Sequence, residues 1–151
     1  MHRNRLSGVV LAGAISLCAP CRAEGIDGCW VRVYEPAHLA QNPRQIIRRI
    51  QFQRVDPAGP DYGIRALLKN DRRSWDAGGP CKAEGAGFRC DLDGDNGHVR
   101  VTRGGETLRL EVVDYIGFEA DGKNGDLDHK SFGDEAHKVF LLFHSRDEDC
   151  K

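Results

Sequence analysis

Apolar and polar residues alternate along most of this chain with the period of a strand. Tyr62, Ile64, Ala66 and Leu68 fall at every second position, as do Leu108, Leu110 and Val112. Successive side chains of a strand point to opposite faces, so this period places one face in a core and the other in water. The segments 30–34, 88–92 and 98–103, the short stretch around Trp75, and Ile116 with Phe118 read the same way. Within 45–55 the alternation puts Ile46, Ile50 and Phe52 on one face with Arg48, and Ile47, Arg49, Gln51 and Gln53 on the other. At 138–144 both faces are apolar through Val139, Phe140, Leu141, Leu142 and Phe143, which predicts a central strand.

Turn signals separate these segments. Asn70-Asp71, Gly104-Gly105 and the run Asp93-Gly94-Asp95-Asn96-Gly97 turn the chain, and Gly78-Gly79-Pro80 is expected to end the Trp75 strand. Residues 36–43 are proline-bounded and allow a loop or a single helical turn. No stretch after residue 23 carries a helical stripe through three turns. Eight or nine short strands predict an all-β fold, a small antiparallel up-and-down barrel of lipocalin-like form, with a two-sheet β-sandwich as the alternative.

Residues 1–23 stand apart. Arg3 and Arg5 precede an apolar, small-residue stretch at 6–19, Ala23 offers a cleavage position, and no acid occurs before Glu24. This predicts a signal peptide at 1–23, a single β domain at 24–151, and a periplasmic or secreted product. No run reaches the roughly 18 to 20 apolar residues of a spanning helix. Three of the 22 basic residues and none of the 23 acidic ones lie in the leader, so 19 face 23 afterwards and the net charge becomes −4. Residues 24–80 carry nine basic and seven acidic groups, whereas 81–151 carry ten and sixteen. A basic nucleic-acid binder is excluded by that balance.

Two of the six cysteines leave with the leader, and Cys29, Cys81, Cys90 and Cys150 remain. Three pairings are open. Cys29 with Cys150 and Cys81 with Cys90 is favoured: Gly85 and Gly87 make the second a hairpin staple, and the first ties the domain's ends. A zinc site is disfavoured, since no Cys-x-x-Cys occurs.

The acidic half holds two candidate interaction loops. Asp91, Asp93 and Asp95 alternate as calcium loops begin, but Asn96 and Thr102 stand where an EF-hand needs glycine and glutamate. A hairpin turn is the preferred reading, with an irregular calcium site as the alternative and no other cofactor expected. The second loop carries Asp121, Asp126, Asp128 and His129 and reads as a solvated loop; together the two could form one acidic rim. His129 and His137 lie near several acids, where a surface role is the default, and His98 and His144 fall in strands. Asp134-Glu135-Ala136-His137 spells a helicase box without the phosphate loop such a motor needs. Ser74, Ser131 and Ser145 are the only serines after the leader, and none sits in a Gly-x-Ser-x-Gly elbow. A non-enzymatic protein is expected.

The run Cys29-Trp30-Val31-Arg32-Val33-Tyr34, then His38-Leu39-Ala40 with Pro43 and Gln45, and Ile47 with Ile50, resemble a family of small exported proteobacterial proteins. Gly79-Pro80-Cys81, Cys90-Asp91, Asp93-Gly94-Asp95, Gly133-Asp134-Glu135 and Val139-Phe140 extend the resemblance across most of the domain. It departs at Ala136-His137. The resemblance implies a β-rich exported fold; the family has no assigned activity, so it adds nothing to mechanism.

Two functions follow as expectations. One is a cell-envelope binding module whose barrel holds a ligand among Ile46, Ile50, Phe52, Leu108, Leu110 and Phe143. The other is an interaction protein, such as an inhibitor of a basic enzyme like lysozyme, that works through its acidic loops over a filled core.

Overall fold

The computed structural model describes the backbone of residues 25–121 and 127–151, with side chains for 25–120 and 130–151. The leader expected at 1–23 lies outside these residues. Nine strands run in chain order: β1 (Cys29–Val33), β2 (Ile47–Arg54), β3 (Asp61–Leu68), β4 (Ser74–Glu84), β5 (Gly87–Asp91), β6 (Gly97–Gly104), β7 (Thr107–Asp121), β8 (Leu127–Phe132) and β9 (Val139–Ser145). One short helix, α1 (Pro36–Gln41), follows β1.

Each strand from β1 to β7 pairs antiparallel with the next, β7 pairs with β9, and β9 pairs with β1. The ring therefore closes on eight strands. This is the predicted up-and-down barrel, and closure removes the sheet edges a sandwich would keep. β8 is the ninth strand, lying on the same edge of β7 beyond β9. No helix among the described residues is long and apolar enough to cross a membrane.

The barrel interior is filled. Trp30, Phe52, Trp75, Phe118 and Phe140 are fully buried together with Ile50, Leu108 and Leu110. Burying one such side chain contributes about 1.5 to 3 kcal/mol, so this layer dominates the fold's stabilisation. Ile26 closes the end where β1 begins; its carbonyl accepts the Trp30 indole N–H at 3.0 Å.

Cys29–Cys150 and Cys81–Cys90 are the pairs formed. Cys81 and Cys90 face each other across the β4–β5 hairpin. Cys150 sits in a terminal 3₁₀ turn on the outside of the barrel, where its carbonyl accepts hydrogen bonds from Gln51 and Gln53.

Four expectations are corrected. The buried face of β2 begins at Ile47, not Ile46, because the pairing with β3 skips Arg48: Ile47 meets Leu68 and Arg49 meets Leu67. One extra residue reverses the phase of everything before it. Phe143 is not a lining residue but 42% exposed, on the outer face of β9 with Val139 and Leu141. That strand is central by pairing, yet its second apolar face looks out. β4 runs straight through Gly78-Gly79-Pro80, changing partner from β3 to β5 there. A Cβ on Gly78 or Gly79 would meet the carbonyls of Tyr62 at 2.9 Å or Asp91 at 2.1 Å, so these glycines permit close approach rather than a turn. Finally, the segment expected as a solvated loop has strand at both ends, with Asp121 opposite Leu127 and Ala120 opposite Asp128.

Candidate functional site

The turn between β5 and β6 is built from its backbone outward. Asp93, Gly94 and Asp95 make a 3₁₀ turn, with Gly94 and Asp95 in the left-handed region that Gly and Asp tolerate. The Leu92 amide donates to the Gly97 carbonyl at 2.9 Å, closing the turn. The Gly117 amide then donates to the Asn96 carbonyl at 2.8 Å, and the Asn96 side-chain amide donates to Glu119 at 3.1 Å. Tyr115 donates its hydroxyl to the Asp95 carbonyl.

Two glycines allow this clamp. Gly97 has φ 93°, and a Cβ there would lie 1.9 Å from the Tyr115 carbonyl. A Cβ on Gly117 would lie 2.3 Å from the Asn96 side chain. Asp114 completes the hold: one carboxylate oxygen accepts the backbone amides of His98 and Tyr115 at 2.8 Å, and the other meets His98 Nδ1 at 2.8 Å. Burial would raise the Asp114 carboxyl, but these hydrogen bonds outweigh it and bring it down to about 2.

The three alternating acids separate in this geometry. Asp91 lies against Arg89 at 2.9 Å and Lys82 at 3.5 Å, and the hydrogen bond from Arg89 holds its carboxyl below the usual range. Asp93 and Asp95 are exposed, with carboxylates that take no ion pair or hydrogen bond from a described residue. Among the described residues no three Asp, Glu, His or Cys side chains gather as a metal site would require. The calcium alternative thus loses Asp91 to its basic neighbours. The side chains of Asp121, Asp126, Asp128 and His129 lie outside the described ones.

A cleft of about 400 Å³ opens beside the turn, lined by Asp93, Asp76, Glu119 and Gly78 among others. Asp76 and Glu119 are placed there by the pairing of β4 with β7 and stand directly opposite each other. Asp76 is bound by Arg65 at 2.6 Å. Nothing in the sequence marks these two acids as partners of the turn, since only the crossing of β4 onto β7 joins them.

The histidines divide. His98 is bound to Asp114, and His144 packs edge-on against Trp30 with Glu106 at 3.9 Å. His137 departs from the surface role expected of it: it is 3% exposed, with Nδ1 at 2.5 Å from Asp134 and Nε2 accepting the Ile46 amide at 3.3 Å. Both ring nitrogens are committed, so the ring works as a strut. Ser145 donates to Asp149 at 2.7 Å rather than to a histidine.

Compared with known protein families, with curated proteins and with solved structures, the chain finds no match.

Proposed function

We propose that this protein is an exported, non-enzymatic cell-envelope protein that recognises a basic protein surface through the acidic turn at 93–96. The observation that carries this reading is the turn itself. It is fixed on β7 by hydrogen bonds and by two glycines that allow close approach, yet it leaves Asp93 and Asp95 exposed, with Asp93 lining a cleft alongside Asp76 and Glu119. A recognition loop already held in one shape loses little conformational entropy when it binds. Complementary charge would steer a basic partner onto it. The filled interior favours this reading over a ligand held inside the barrel, because Ile50, Phe52, Leu108 and Leu110 pack against one another as core. Two disulfides fit a compartment that permits them, and the basic residues Arg3 and Arg5 followed by the apolar stretch at 6–19 support export.

Lysozyme is the defined basic probe. Excess protein at low ionic strength is expected to bind and inhibit it, with binding weakened by added salt and by the pair Asp93→Asn and Asp95→Asn. The same immobilised protein should retain basic proteins from an envelope extract. Retention indifferent to both salt and the two substitutions would remove the turn from recognition.

A further inference from the structure

A second cleft, of about 550 Å³, opens between α1 and the 3₁₀ turn Glu135–His137. It shares no lining residue with the acidic cleft, and its size falls within the range of about 300 to 1,000 Å³ typical of small-molecule sites. Three features of its walls decide what it would take.

The first is Gln45, which lines the cleft although it is only 6% exposed. Its amide nitrogen donates to the Ile47 carbonyl at 2.9 Å, which fixes the side chain. Its amide oxygen takes no hydrogen bond from a described residue, and none of the enclosed side-chain polar atoms among them lacks a partner. The oxygen therefore keeps some exposure, as an unpaired acceptor on a fixed side chain of a residue that lines the cleft. The second is a flat aromatic surface. The rings of Tyr34 and His38 stack with centroids 5.1 Å apart and planes 27° apart, and the Arg32 guanidinium stands 5.0 Å from the Tyr34 ring. Tyr34 is half-buried and His38 exposed, so the stack is anchored at one end and open at the other. The third is a rim of planar polar groups without internal partners. Arg44, Glu135 and the Gln41 amide make no side-chain hydrogen bond or ion pair with a described residue.

The geometry points to a short oligosaccharide as the ligand of this cleft. Arg44 offers only donors, Glu135 only acceptors, and Gln41 both. A polyanion would meet Glu135 and a polycation Arg44. An apolar ligand would leave the Gln45 oxygen unpaired, which is costly for a polar group so nearly buried. A sugar hydroxyl donates and accepts at once, so a polyhydroxyl ligand can satisfy every one of these groups. The C–H face of its ring can rest on the open end of the aromatic stack. This inference is independent of the acidic turn: either site can fail while the other stands.

The test is an NMR titration of the oxidised protein with triacetylchitotriose and, separately, maltotriose, using inorganic phosphate as the anion control. Saturable shifts are expected at Tyr34, His38 and the Gln45 side-chain amide with at least one sugar. His38→Ala and Gln41→Ala alter exposed positions outside the core and are each expected to weaken that binding about tenfold. Gln45→Glu, which retains an acceptor but loses the donor to Ile47, serves as a second probe of that position. Absence of shifts with both sugars, or shifts equal in the His38→Ala and Gln41→Ala proteins, would overturn the assignment. So would phosphate shifting the same signals as strongly as the sugars do, since the cleft would then be an anion site.

Discussion

Two short connections in this barrel each combine a 3₁₀ turn with an aspartate–histidine contact in or beside it, and they use them in opposite ways. Beside the turn at 92–97 the pair is Asp114 of β7 with His98 of β6. It lies at the surface, and its task is to hold backbone amides so that other carboxylates face outward. In the connection at 133–138 the pair is Asp134 with His137, and the ring is sunk between Phe132 and Phe140, with centroids 4.9 and 6.5 Å away. There the imidazole bonds the Ile46 amide, 91 positions earlier, and so fastens the start of β2 to the start of β9. The same two residue types thus stabilise the core in one place and shape the surface in the other. Burial of the ring, not its identity, makes the difference.

That contrast is sharpest in its energetics. His137→Ala removes a buried ring and leaves the Ile46 amide without its partner. Loss of packing and an unpaired, partly buried donor together are expected to cost about 3 kcal/mol, measured by urea unfolding of the oxidised protein. A loss below about 1 kcal/mol would mean the ring is not a strut, given that typical surface substitutions stay within about 0.5 kcal/mol.

Gly97→Ala tests the other connection. The added methyl would meet the Tyr115 carbonyl, and an L-residue at this φ is itself strained. The two effects are expected to cost about 3 kcal/mol by the same unfolding measurement, from a left-handed penalty of about 1 to 2 and overpacking of about 1 to 3. Asp93→Asn, at the exposed tip of the same turn, should leave stability within about 0.5 kcal/mol. Equal costs for the two would show that the tip carries structure and is not free for recognition.

The sequence made the barrel legible where a single face is buried. Tyr62 to Leu68 in β3 and Leu108 to Val112 in β7 alternate without interruption, and both strands have the faces expected of them. It failed where two phases read equally well. Ile46 and Ile47 are adjacent and both apolar, so nothing local reveals that Arg48 is looped out of register. Gly78-Gly79-Pro80 reads as a stop because these residues usually turn a chain, whereas here the glycines let β4 pass close to other backbone. The hairpin disulfide was visible in its spacing, since Cys81 and Cys90 flank a turn. The turn at 92–97 was visible too, but not what surrounds it. Asp76 and Glu119 reach it only through the β4–β7 crossing, and His137 is buried in a segment whose neighbours, Asp134 and Glu135, are both exposed.

A pH-dependent effect is expected at Asp114, and it separates a charge that holds the turn from one that merely lies near it. Hydrogen bonds in the folded chain bring this carboxyl to about 2, against about 3.9 for an unfolded aspartate. A depressed carboxyl stabilises the fold in its ionised form. That contribution is therefore fully present above about pH 4 and is lost as the pH falls through about 2. The group is partly solvated, so the effect is modest, and other carboxylates such as Asp91 and Asp27 are also held low and will titrate alongside it. Asp114→Asn isolates it. The substitution keeps an oxygen for the His98 and Tyr115 amides but removes the charge, so the two proteins should differ in stability near neutrality. The gap should close as the pH is lowered from about 4 to about 2, because protonation makes the native residue as neutral as the asparagine. A gap that stays constant across this window would mean that the acceptor geometry alone fixes the turn and the carboxylate's charge contributes nothing to it.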